Sequence, residues 1–335
     1  MTLHRYAVRE SMVLALALLA APLLRADVTV RYQSEFKPSP AVAPFMEAFM
    51  KTAQAGSDKT VRMKGNKAYT TVGSVDEVFD FVKQEVILID PAHKTFAMMP
   101  LSQLVDQMAA ALTPASSEQL QAARKAMASI QTKVDSKVTG DTAEIQGIQA
   151  EERVVTVTLD MPMPAALAKA GPGMNMKLAI HIWTATKAEA LRVPALRELT
   201  GYQAWQRYVL SPAAMFQKFA GKMPGMSKML DPIFEELFKD QSVVLRMHME
   251  MYMPFLAAMS KQMAGKGQAG PMIDPDAPLI EVNQEIAELS SAPVDASLFE
   301  VPKDYAAVPI EDLVGELVKA QASATPTAPK PVDPK

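Results

Sequence analysis

Cysteine is absent from all 335 residues. The chain therefore makes no disulfide, offers no thiolate nucleophile and builds no zinc–sulfur site. With no covalent staples, its fold must be held by its core. Histidine is scarce, with four in the chain. No two of them stand at the i, i+4 spacing of a helical zinc protease motif, and no Gly-x-Ser-x-Gly elbow occurs. Gly265-Lys266-Gly267 lacks the spacing and the following hydroxyl of a phosphate-binding loop and reads as a flexible connection. Aromatic residues make up only 6%. The formal charge of −3 is spread without a basic block. Nucleic acid and anionic membrane surfaces are poor partners for such a chain, since both need concentrated Lys and Arg.

The first 26 residues read as a secretory leader. His4, Arg5 and Arg9 form a basic start, Met12 to Leu24 is apolar, and Leu24-Arg25-Ala26 offers a small residue for cleavage. The apolar run is shorter than the roughly 20 residues that span a bilayer, and no cysteine follows it to carry a lipid. The expectation is an exported protein, periplasmic and not lipid-anchored, and no integral membrane protein once the leader is removed. Removing the leader takes away Arg5, Arg9, Arg25 and Glu10, which moves the net charge from −3 to −5. The remaining 309 of 335 residues are enough to bury about 75% of the surface exposed by the unfolded chain.

What the chain has in plenty is methionine, 24 in all. In Met247-His248-Met249-Glu250-Met251-Tyr252-Met253, four methionines fall on alternate positions. Side chains alternate across a strand, so the four thioethers share one face. A stiff core would use Val, Ile or Leu there. Met is unbranched and polarizable and refits around irregular shapes.

Strand periodicity runs through Val28–Phe36, with Val28, Val30, Tyr32 and Phe36 inward. It recurs in Thr60–Lys64 and Lys67–Val72 around a Gly65-Asn66 turn, and in Val75–Val82. Glu85–Ile89 and Thr95–Met99 follow, around an Asp90-Pro91-Ala92-His93-Lys94 loop. Further strands are expected over Lys133–Thr139 and Thr142–Ile148, turning at Gly140-Asp141, then Arg153–Leu159, Met176–Thr184, Val243–Met253 and Leu279–Leu289. Helical spacing marks Phe45–Met50, Leu101–Ala111, Ser116–Ser129, part of Met161–Gly173, Phe255–Met263 and a terminal helix over Ile310–Gln321. The block Pro194–Asp240 is helical and strongly apolar, and Pro212, Pro224 and Pro232 are expected to divide it.

Strands outnumber helices without regular alternation. The fold class expected is α+β: one curved antiparallel sheet, an incomplete barrel, with helices on its concave face. After the leader, residues 27–305 form a single domain with helical insertions near 194–240 and 255–270. A terminal helix follows over 306–322, then a disordered tail over 323–335 that has no apolar face to bury.

Several short segments carry a resemblance. They are Val30-Arg31-Tyr32 after the leader, the hairpin Arg62-Met63-Lys64-Gly65-Asn66-Lys67, and Val86-Ile87-Leu88-Ile89-Asp90-Pro91 with its partner Thr95–Pro100. The closing segment Val294-Asp295-Ala296-Ser297-Leu298-Phe299-Glu300-Val301-Pro302-Lys303-Asp304-Tyr305 completes the set. In this order they resemble an exported bacterial family of unknown function related to the LolA, LolB and LppX lipoprotein carriers. The resemblance implies a half-barrel plugged by helices, with an apolar cavity that takes acyl chains. The carriers' cavity arginine is not assigned to Arg31 or Arg62. The insertions 194–240 and 255–270 are larger than a minimal carrier needs.

The function expected is non-enzymatic binding of an apolar ligand, a lipid or acyl chain, between sheet and helices, with no cofactor. The cavity wall is expected from Met247, Met249, Met251, Met253, Phe216, Phe219, Ile233, Phe234, Leu237 and Phe238. A partner protein of the cell envelope would suit a second reading, a structural module with a filled interior. A third is a Cu(I) site at Met223, Met226 and Met229, whose thioethers suit that soft ion. Met as apolar filling is the commoner use. His93 is expected in solvent, and His181 and His248 on the less buried side of their strands. Glu151-Glu152 and Glu235-Glu236 read as solvated edges, because adjacent side chains diverge.

Overall fold

The computed structural model describes residues 27–44, 58–72, 74–104, 129–161, 174–209, 226–237, 239, 242–264 and 273–313. The leader, the helical segments expected at 45–50 and 116–128, the segment 162–173, the loop 265–271 and the tail lie outside these. Twelve strands form one large, open, curved sheet, antiparallel at every pairing but one.

The strands are β1 (Val28–Pro38), β2 (Asp58–Lys64), β3 (Lys67–Val72), β4 (Val75–Asp80), β5 (Glu85–Asp90) and β6 (Thr95–Pro100). They continue with β7 (Gln131–Ile145), β8 (Ile148–Met161), β9 (Met174–Ala185), β10 (Val244–Tyr252), β11 (Ile280–Ser290) and β12 (Ala306–Ala307). Their spatial order is β12-β6-β5-β4-β3-β2-β1-β11-β10-β9-β8-β7. Two meanders, β1 to β6 and β7 to β11, are thus sewn together where β1 pairs with β11. The seam carries a bulge at Arg31/Tyr32, a device that bends a sheet locally.

Turn chemistry fixes the hairpins. Gly65, at φ +59, takes the first central position between the paired Lys64 and Lys67, where a glycine suits a two-residue loop. The β4–β5 and β5–β6 loops follow one recipe. Asp80 Oδ1 accepts from the N–H groups of Val82 and Lys83, and Asp90 Oδ1 from those of Ala92 and His93. Each loop then ends on a left-handed residue, Gln84 or Lys94.

One expected turn is misplaced. Gly140-Asp141 does not end a strand: β7 runs on to Ile145, and Gly140, at φ +87, sits in a bulge between Val138 and Thr142. The reversal comes at Gln146 and Gly147, both at positive φ, the requirement of a type I′ hairpin. The strands expected at 142–148 and 153–159 therefore belong to two long partners, β7 and β8.

The described helices include α1 (Lys187–Arg192), α2 (Pro194–Val209), α3 (Met226–Leu237) and α4 (Pro254–Ala264). Pro232 does not divide the apolar block where expected, because α3 continues through it. Pro232 is exposed, so the backbone group deprived of its donor can turn to water. The terminal helix is helical over residues 310–313, and Ala306–Ala307, expected as its start, instead pairs in parallel with Thr95–Phe96 of β6.

Leu196, Leu199 and Tyr202 of α2 pack with Val28, Val30, Val61, Met63 and Ile286 in one core cluster. The β3–β6 end of the sheet is covered on both faces. Val75, Phe79, Val86 and Leu88 pack with Leu101, Ile310 and Leu313, while Val78 and Ile89 pack with Val294 and Phe299. Burial on both faces explains the nearly unbroken apolar run Val86–Ile89. Asp27 anchors the closing segment, accepting from Val294 N–H at 2.8 Å and from Lys64 Nζ at 2.6 Å.

Candidate functional site

Met247, Met249 and Met251 lie on β10 directly opposite Ile182, Ile180 and Leu178 of β9. On the other side they face Gln284, Val282 and Ile280 of β11. Strand alternation therefore sets the three thioethers in one apolar stripe with β9, as their spacing predicts. Met253 follows the strand, and its carbonyl accepts from Leu256 N–H at the start of α4. The stripe extends over Val155, Val157 and Leu159 of β8, all buried.

Helix α3 covers part of this wall. Ile233 is buried against Val155, Val157, Ile180 and Ile182, and Leu237, Met247 and Met249 join the same cluster half-buried. Phe234 is half-buried on the same helix. Of the other expected wall residues, Phe216, Phe219 and Phe238 lie outside the described residues. Met223 does too, as do the side chains of Met226 and Met229 within α3.

Arg153 is buried at the edge of this wall, opposite Ile182. Its Nη1 donates to the Glu236 carbonyl and its Nη2 to the Leu237 carbonyl at 3.1 Å, with the Glu236 carboxylate 3.6 Å away. A guanidinium there satisfies carbonyls that a helix end leaves without donors and complements the negative end of its dipole. Glu236 is no solvated edge: it serves Arg153 and pairs with Lys239 at 3.5 Å, whereas Glu235 is exposed as expected.

The reverse face of the same strands carries a polar network. His181 Nδ1 lies 2.8 Å from Glu152 Oε1, and Thr139 donates to Glu152 Oε2 at 2.7 Å. Across the strand pair, His248 Nδ1 lies 2.6 Å from Asn283 Oδ1, and its Nε2 is 3.3 Å from Glu250 Oε1. Tyr252 donates to Glu250 Oε2 at 2.8 Å. His181 stacks on Trp183, over which the Arg246 guanidinium lies at 5.7 Å.

Burial pushes the Glu152 carboxyl up, but the hydrogen bonds from His181 and Thr139 outweigh it and hold it below the usual carboxylate range. Glu250 follows the same pattern, with Tyr252 and His248 outweighing its burial. Burial, joined by the Glu250 carboxylate, pushes the Tyr252 phenol up to about 12.

This network is the part that sequence reasoning missed. The two histidines do sit on the less buried face, yet Glu152 is only 6% exposed and is not a solvated edge; Glu151 is. Alternation gave the face of each histidine, but only the β9–β10 register brings them together. His93 is exposed as expected but tied to buried Asp90 at 2.7 Å.

A groove of about 450 Å³ runs along β1, β10 and β11, lined by Gln33, Glu35, Asp58, Arg246, Asn283 and Glu285 among others. Its lining side chains are all polar or charged, and one of them, Gln284, is the cross-strand partner of Met247. Among the described residues no helix is long and apolar enough to cross a membrane. No family model matches the chain, and no curated protein matches it in sequence.

Proposed function

We propose that this is an exported, periplasmic, non-enzymatic protein that shelters an apolar ligand, a lipid or acyl chain, between the sheet and α3 in the manner of the LolA-like carriers. The observation that carries the reading is the half-buried pair Met247 and Met249, which pack against the aliphatic cluster of β8 and β9 that Ile233 of α3 joins. Helices gathered on the concave face, a half-barrel held open by them and a lipoprotein-carrier ancestry belong to the same proposal. A curved sheet with a long unclosed edge at β7 supports it.

Affinity comes from area: each methylene moved out of water contributes about 0.8 kcal/mol before the costs of association. Soft methionine side chains let one wall accept chains of different length and unsaturation. Displacement of an environment-sensitive fluorescent fatty acid tests the reading. The wild-type protein should bind the probe and release it to unlabelled fatty acid, and Met249→Trp, which fills the stripe, should weaken binding at least tenfold. A wild-type protein that leaves the probe in water favours the envelope module with a filled interior.

A further inference from the structure

Strand β7 ends the sheet, and among the described residues no strand pairs with its outer side. Alternate residues of a strand turn their N–H and C=O outward, so this edge offers a row of backbone groups to another strand. The opposite edge ends in the two-residue strand β12, which leaves little to pair with. By contrast β7 runs for 15 residues. From Asp135 to Val138 every residue is exposed, on both faces of the strand. Val138 is 66% exposed, although Val134 on the same face, and Ile130 just before the strand, pack against the apolar cluster of β8 and β9.

We propose that β7 pairs antiparallel with β7 of a second copy of this chain, about a two-fold axis through Val134. An axis normal to the sheet keeps every residue on its own face, so the apolar sides of the two sheets become continuous. Val134 then meets Val134, and Ile130 of each copy meets Val138 of the other, which covers the exposed valine. Thr132 stands opposite Ser136. On the polar face, Lys133 of each copy stands opposite Asp135 of the other, and Gln131 opposite Lys137. Lys133 and Asp135 already pair within the strand at 2.9 Å, so the dimer sets four charges of alternating sign in a square. Charged residues on an edge ordinarily keep strands apart, and here they do so in the neighbouring registers. An axis at Asp135 sets that carboxylate against itself and Lys133 against Lys137. An axis at Lys133 sets that ammonium against itself. An axis at Ser136 runs the pairing into the bulge between Val138 and Thr142. Charge and strand length together select one register. An edge pair of this length buries less than the roughly 1,200–2,000 Å² of a standard interface, so the dimer is weak and forms as concentration rises.

Sedimentation velocity of the purified protein over a concentration series tests this. The wild-type protein should pass from monomer to dimer as concentration rises. Asp135→Lys, which sets like charges against each other at two symmetric places, should weaken the dimer at least about tenfold. Adding Lys133→Asp to it should restore the wild-type affinity to within about threefold, because the pair is then only inverted. On the wild-type protein, hydrogen exchange over 131–138 should slow as the protein is concentrated, a readout that does not depend on how the variants fold. A protein that stays monomeric up to about 1 mM, a dimer unaffected by Asp135→Lys, a double variant no better than the single one, or slowing at β6 and β12 in place of β7 would overturn the assignment.

Discussion

Arg153 reaches from β8 to the carbonyls of Glu236 and Leu237, so one buried guanidinium ties the C-terminal end of α3 to the methionine-bearing wall. Replacing Arg153 with Met removes both donors and leaves the helix end unsatisfied, a cost of about 1–3 kcal/mol. Denaturant unfolding should show that loss. Hydrogen exchange should quicken in 226–237 before it quickens in β1 to β5. Arg153→Lys should recover less than half of it, because an ammonium cannot span two carbonyls as a planar fork does.

Asp27 gives a pH dependence with a definite sign. Burial raises its carboxyl, but the bonds from Lys64 and Val294 outweigh this and leave its pKa below the ordinary value. A carboxylate depressed in the folded state contributes stability that is complete above its unfolded pKa of about 3.9 and disappears as pH falls through the folded one. The denaturation midpoint of the wild-type protein should therefore fall more steeply below about pH 4 than that of Asp27→Asn. Equal slopes for the two would show that the Asp27 clamp is weak.

Two glycines should respond with opposite signs. Gly147 sits at φ +71 with nothing within 4 Å of a built Cβ, so Gly147→Ala meets backbone strain alone and should cost about 1 kcal/mol. Gly201 lies inside α2 with equally open space and no positive φ. Gly201→Ala should add about 0.5–1 kcal/mol through helix propensity. Thermal or chemical denaturation separates them.

Among the described side chains of α3, Ile233 is the one buried against the sheet, at 7% exposure. Truncation to Ala should cost about 2–4 kcal/mol, while Met249→Leu, close in volume and half-buried, should cost less than about 1.5 kcal/mol. A large loss at Met249→Leu would mean a tightly fitted interior with no room for a guest.

The sheet was legible residue by residue wherever one face is buried and the other wet. Val28, Val30 and Tyr32 on β1, Met176 to Ile182 on β9 and the methionines on β10 alternate as period-two patterns should. Turn position was legible where glycine or Asp carried it, at Gly65 and Asp90, and misread at Gly140. There a glycine makes a bulge, while Gln146, a residue rarely found at positive φ, shares the real turn. Pairing between distant strands leaves no mark in either strand alone. The β1–β11 seam, the parallel β12 and the His181–His248 pair were therefore invisible until the register was known.

Native mass spectrometry of the protein purified from its own compartment shows whether it carries a lipid. A co-purifying acyl-bearing lipid is expected, one that leaves on delipidation and is diminished in Met249→Trp. A protein that emerges uniformly empty, with no lipid in its organic extract, would contradict it.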